Sequence, residues 1–249
     1  VDWFEFNYIH AWLVSEVVDS TRIFNFGNGA VRKEFYPKYL AANMYSFHLF
    51  KNFTASVGNS MVYSNSSVQP AYMIPFILFK SVEHTIAASN ENNAQIFFDF
   101  SSRNIKNLHL FGTFFIDEVN FGNMWDEDKH SNWFSMKAGF KLVNFPVPNL
   151  SLAGEYTRTN PMVYKHYYPT STFASNLYSM GHYLKDNAHE FYGALTWKPI
   201  NKLRVRLDYS YAGKGPDYPD LRNVPNYSSA GKEFLSSVEW HQNSFGFEL

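Results

Sequence analysis

The chain has no cysteine. That removes thiol nucleophiles, cysteine-ligated zinc and disulfide frameworks, and leaves the redox compartment undecided. It also lacks any run of about 18 apolar residues, so no stretch reads as a membrane-crossing helix. An excess of positive charge is missing too: 21 Lys and Arg stand against 22 Asp and Glu, a formal net charge of -1. No basic field is available to hold a phosphate backbone, and no nucleic-acid partner is expected. No signal peptide opens the sequence; Val1 already stands in strand-like sequence, which predicts a processed chain or a fragment.

What is abundant is aromatic. Phe, Tyr and Trp make up 19% of the chain, with 25 Phe and 17 Tyr carrying the excess, a composition suited to membrane girdles and sugar-binding surfaces. The 249 residues fit one large β domain spanning 1–249.

The clearest pattern lies between Trp133 and Thr157. Phe134, Met136, Ala138, Phe140 and Leu142 alternate with Ser135, Lys137, Gly139 and Lys141, the period of a strand. Pro146-Val147-Pro148-Asn149 stops it, because prolines cannot donate to a ladder. The return strand sets Leu150, Leu152 and Tyr156 against Ser151, Glu155 and Thr157, with Lys141 expected opposite Glu155. An apolar outside and a charged inside predict a lipid-facing barrel; the alternative is a hairpin of a soluble sandwich.

Further strand candidates are Trp3–Val14, Tyr39–Phe50, Phe53–Tyr63, Ala94–Ser102, Leu108–Asp117, His189–Lys198, Leu203–Tyr211, whose alternation is the cleanest, Glu233–His241 and the final Phe245–Leu249. Short connections at 51–52, 103–107, 146–149, 199–202 and 242–244 alternate with long ones at 15–38, 64–93, 118–132, 158–188 and 212–232. The fold predicted is all-β: an antiparallel up-and-down transmembrane barrel with short periplasmic turns and long extracellular loops. Eleven candidate strands, the last cut short at Leu249, predict further strands beyond the given chain, since closed bacterial barrels usually hold an even number. Gln69–Thr85 breaks the alternation, with apolar residues all round and Pro75 able to start a helix. It reads as a short helix at 69–85 in the lumen or under the loops, or else as a buried strand.

Several segments together resemble the capsule-assembly Wzi-like family of outer-membrane barrels, in its Bacteroidota form. They are FNYIHAWLVSEVVDSTR (6–22), VQPAYMIPF (68–76), FDFSSRNIKNLHL (98–110), EYTRTNPMVYKHYYPTSTFASN (155–176) and MGHYLKDNAHEFY (180–192). The resemblance covers most of the chain. It implies a barrel with no enzymatic role, located in the bacterial outer membrane, whose relatives hold capsular polysaccharide at the surface. It also implies that the barrel can serve as a subunit beside other outer-membrane proteins or lipoproteins. Those relatives close with more strands and carry a periplasmic helical element, neither of which is evident here.

The loop from Arg158 to Ala188 gathers Tyr164, His166, Tyr167, Tyr168, Tyr178, His182 and Tyr183, with Lys165 and Asp186 nearby. Aromatic faces stack on sugar rings while polar groups bond hydroxyls, so these residues with Arg158 are the candidate glycan site; the alternative is that they pack the barrel mouth. Asp117, Glu118, Asp126, Glu127, Asp128 and His130 lack EF-hand spacing and its glycine, so a solvated acidic loop is favoured over a metal site. His109 with Asp99 is the nearest acid–base pair, and without a serine partner in that hairpin a lumenal hydrogen bond is the favoured reading. Lys137, Lys141, Glu155, Arg204, Arg206 and Asp208, with Glu239, form an expected lumen charge ladder, which in an open pore would tune permeation and in a plugged barrel would hold the plug. No cofactor is expected. A porin-like diffusion channel is the alternative to a polysaccharide-holding barrel.

Overall fold

Sustained two-residue alternation yields strands, and asparagines that tolerate left-handed backbone end them: Asn52, Asn107 and Asn149 all sit at positive φ in tight connections. The structure, a computed structural model, describes residues 2–83, 85, 91–218 and 231–249. In chain order its strands are β1 (Phe4–Leu13), β2 (Val18–Asn25), β3 (Val31–Phe35), β4 (Lys38–Phe50), β5 (Phe53–Tyr63), β6 (Asn93–Ser102), β7 (Leu108–Glu118), β8 (Trp133–Val143), β9 (Leu150–Thr159), β10 (Ala174–Ser175), β11 (Tyr178–Ser179), β12 (Ala188–Ile200), β13 (Leu203–Lys214) and β14 (Trp240–Glu248). Ten of them form one sheet, β1-β4-β5-β6-β7-β8-β9-β12-β13-β14, with every ladder antiparallel. β2–β3 and β10–β11 are small separate hairpins. No helix among the described residues is long and apolar enough to cross a membrane.

The short connections fall at 51–52, 103–107, 144–149 and 201–202, all at one end of the sheet, and the long ones at the other. One expected turn is absent. Gln242-Asn243-Ser244 lies inside β14, where Gln242 pairs with Ala212, Asn243 with Tyr211 and Ser244 with Ser210. Glu233–His241 is therefore not a strand of its own, and the sheet has ten strands where eleven were expected. Residues 219–230 of the expected loop at 212–232 lie outside the described residues. Among the described residues β1 pairs only with β4 and β14 only with β13, so the expected closed barrel is not formed and both strands are edges.

Following the registers assigns every side chain to a face. One face carries Phe98, Phe114, Phe140, Leu152, Phe191 and Leu207 along successive strands and is apolar throughout most of its extent. The other carries Ser56, Asp99, Thr113, Lys137, Glu155 and Arg206. Four cross-strand pairs set a phenylalanine directly opposite a glycine: Phe97 and Gly58, Phe100 and Gly112, Phe111 and Gly139, Phe140 and Gly154. Each ring covers the space where a Cβ would stand.

The ladder is also staggered. Walking across from Tyr8, inside β1, one meets Asn43, Asn59, Ile96, Ile116 and Phe134, and then Asn160, already past the end of β9. The drift is about one residue per strand.

Two long connections fold back on the sheet, one on each face. Residues 64–83 pack on the apolar face, not in the lumen or under the loops as expected. A 3-10 turn (Pro70–Met73), an extended piece and a single helical turn (Phe79–Val82) bury Tyr72 and Phe79 against Tyr39, Ala41, Met61 and Tyr63. The remainder of the expected 69–85 element includes residue 84, which is outside the described residues. The reason is polar: Asn43 and Asn59, adjacent on this face, need partners and take them from the backbone of 75–79.

Candidate functional site

Residues 160–187 cross the polar face from β9 to β12. Met162 and Tyr164 hold left-handed backbone at φ 73, a conformation that costs a non-glycine residue about 1–3 kcal/mol. Each is held by a carboxyl group: Met162 N donates to Asp186 Oδ2 at 3.0 Å and Tyr164 N to Asp117 Oδ2 at 2.7 Å. Behind them Trp133, Met162, Val163 and Tyr164 form a buried core with Phe115 and Phe173. Further ties run to distant parts of the chain, from Lys38 Nζ to Thr172 Oγ1 (3.2 Å) and Asn176 N to Val14 O (2.9 Å), while Lys165 Nζ pairs with Asp186 (2.9 Å) within the loop.

The eight residues proposed as a glycan site are therefore divided. Tyr164 is a core residue, 7% exposed. Arg158 stands on the apolar face in register with Met136 and His189, its guanidinium 3.8 Å over the ring of Phe234, away from the other seven. His166 is half-buried, accepts from Tyr168 N at 3.2 Å, and is pushed down to about 4 by burial. Tyr167 and Tyr168 meet edge to face at 5.1 Å. Tyr178 is 76% exposed on the β10–β11 hairpin. His182 and Tyr183 converge on Glu190, at 3.3 and 2.6 Å. Burial and then the Glu190 hydrogen bond push Tyr183 up to about 12, while burial holds His182 below its usual range against the opposing pull of Glu190.

Two concavities result. One, of about 700 Å³, lies between the loop and the polar face, where Lys137 and Glu155 pair at 3.1 Å beside Thr113, Ser135, His182 and Glu190. The other, about 510 Å³, is a crevice at the long-loop end between Tyr168 and the β2–β3 hairpin, lined by Asp19, Arg22, Tyr36, Asn65 and Glu91. Thr21 donates twice to Asp19 and holds its carboxyl below the usual range, with Arg22 3.7 Å away. A ring to stack on, an ionised carboxyl, a guanidinium and an amide are the groups that grip a sugar. The β2–β3 contribution was not legible in the sequence, because Gly27 and Gly29 made 15–38 read as loop; the strand-favouring Val18, Thr21, Ile23 and Phe24 ahead of Gly27-Asn28-Gly29 were the available signal.

Of the expected charge ladder, Lys137, Lys141, Glu155, Arg204, Arg206 and Asp208 share the polar face. Arg206 bonds Asp208 at 3.1 Å and Tyr192 at 2.6 Å, and Arg204 lies 3.8 Å from Glu248. Lys141, however, stands opposite Ala153 and not Glu155, whose partner is Lys137. Glu239 precedes β14 and is outside the ladder. His109 bonds Ser101 at 2.9 Å, whereas Asp99 is engaged by Thr113 at 2.7 Å, so the serine partner exists and the proposed acid is turned elsewhere. Among the described residues no three His, Asp or Glu converge to hold a metal; Asp126 pairs with Lys129 at 3.5 Å. Comparison of the chain with models of known protein families, with curated protein sequences and with solved structures finds no match.

Proposed function

We propose that the sheet is the wall of a bacterial outer-membrane β-barrel of the Wzi-like kind. In this reading it is non-enzymatic and holds capsular or exopolysaccharide at the cell surface, alone or as a barrel subunit beside other outer-membrane proteins or lipoproteins. The observation that carries it is an inversion of the soluble pattern: the polar face is roofed by residues 160–187, while much of the apolar face stands bare, with Phe98, Phe191, Leu207, Phe245 and Phe247 exposed. A sheet in water covers its apolar face, and a sheet in lipid does the reverse. The staggered ladder supports the same reading. Lipid cannot leave edges unpaired, so this reading requires hydrogen-bonding partners for β1 and β14 in the membrane. Short connections then face the periplasm, and the Tyr168 crevice opens outside the cell.

Purified protein in detergent is expected to give a β-sheet circular dichroism spectrum, to migrate differently on a gel before and after boiling, and to retain surface polysaccharide in a pull-down. Loss of heat-modifiable migration would sink the barrel, and absent retention the sugar role. The charge ladder favours a second reading, a porin-like diffusion channel lined by Lys137, Glu155, Arg204 and Arg206. Large steady currents in a planar bilayer would select it; the roof over the polar face predicts small ones.

A further inference from the structure

Resting on the outer-membrane reading, we propose that residues 70–79 form an apron immersed in the outer leaflet, with acyl chains against Met73, Ile74, Phe76 and Leu78. The apron descends from the long-loop end over β1, β4 and β5 on the bare apolar face. Along 75–79 its side chains alternate, with Phe79 buried and Phe76 and Leu78 exposed. What faces outward is thus a second apolar surface, continuous with the uncovered phenylalanines and leucines of the neighbouring strands.

The backbone of the apron is the specific evidence. Extended chain in water needs no side chains to satisfy its carbonyls; in hydrocarbon every such group must find a protein partner. Asn43 Nδ2 donates to the carbonyls of Pro75 and Ile77, both at 2.9 Å, and Asn59 Oδ1 accepts from Phe79 N at 2.9 Å. Tyr8 donates its hydroxyl to Tyr72 O at 2.9 Å, and Tyr63 receives Gln69 N at 3.3 Å. All four clamping residues come from the apolar face, where each would otherwise present a polar group to lipid. The clamp thus satisfies both partners at once, and the medium it is built for is one without water.

Because the chain has no cysteine, Leu78→Cys and Phe191→Cys each give a single thiol for a bimane label. Each labelled protein is reconstituted in phosphatidylcholine vesicles and exposed to brominated acyl chains or to aqueous iodide. The label at 78 is expected to be quenched several-fold more by brominated lipid than by iodide, matching the label at 191. Iodide quenching at 78 with lipid quenching at 191 would overturn the apron while leaving the barrel reading intact. Iodide quenching at both would remove the membrane reading, and the apron with it. Protection at 78 from both quenchers would overturn lipid as the occupant in favour of a protein. In an Asn43→Ala, Asn59→Ala background the label at 78 is expected to become iodide-accessible with heat-modifiable migration kept; unchanged lipid quenching would overturn the clamp.

Discussion

Asp117 Oδ2 accepts the backbone N–H of Tyr164 at 2.7 Å, joining β7 to a loop residue held in left-handed backbone. Gln95 Nε2 lies 3.3 Å from the other oxygen of the same carboxyl, and Ser60 in turn donates to Gln95 at 2.7 Å, so three strands support one loop anchor. An N–H left buried without its acceptor costs about 1–3 kcal/mol. Asp117→Ala is therefore expected to loosen the roof by that amount, and Asp117→Asn, which keeps an acceptor, by less. Limited proteolysis within 160–187 should show earlier cutting in the alanine variant with gel migration of the sheet unchanged; equal protection in both would refute the anchor.

The glycine–phenylalanine pairs make a paired prediction. A Cβ on Gly139 would meet Phe111 at 2.4 Å and the Gly154 carbonyl at 2.9 Å, whereas one on Gly193 finds only the Ala153 carbonyl at 4.0 Å. Overpacking at such a site costs about 1–3 kcal/mol. Gly139→Ala should lower the denaturant midpoint by the equivalent of that cost, and Gly193→Ala should leave it unchanged or raise it slightly.

On the proposed polysaccharide-holding role, Tyr36→Ala combined with Tyr168→Ala at the crevice should weaken retention at least about tenfold, each stacked aromatic contributing on the order of 1 kcal/mol. Arg158→Ala should leave retention unaltered, because the guanidinium lies over Phe234 on the opposite face. Binding curves with surface polysaccharide from the host cell separate the cases, and equal loss in both would place the sugar elsewhere.

Acid should release the roof through His166. Its folded value, pushed down to about 4 by burial, lies below the unfolded value of about 6.5. Between those values the unfolded loop binds more protons, so docking is fully stable above about pH 6.5 and is lost progressively as pH falls toward 4. Proteolytic protection of 160–187 measured from pH 7 to 4 should fall along that window, and His166→Gln should flatten the curve.

Much of the sheet was legible because side chains on a strand repeat every two residues, and β5 begins and ends where its alternation does. Registers were less so. The β8–β9 turn is tightened by Asn144 N bonding Leu150 O and Asn149 N bonding Asn144 Oδ1, which places Ala153 opposite Lys141 and leaves Glu155 to Lys137. Gln242–Ser244 looked like a turn because three polar residues follow one another, yet Tyr209 donates to Asn243 at 2.7 Å and keeps it in the ladder. The site was legible as a loop rich in tyrosine but not as a site. Whether Tyr164 faces a ligand or a core depends on Asp117, 47 residues earlier, and no local pattern records that.

The bond from Asn176 N to Val14 O spans 162 residues of chain, with Ser175 Oγ beside it receiving Val14 N. Strand pairing in the sheet is sequential and so proceeds through nearby hairpins, whereas closing a segment of this length unaided costs about 4–5 kcal/mol in chain entropy. The tie becomes affordable only after the intervening strands have brought β1 and the loop together. It is thus a late contact in folding, and protease resistance at 174–179 would mark molecules whose assembly has run to completion.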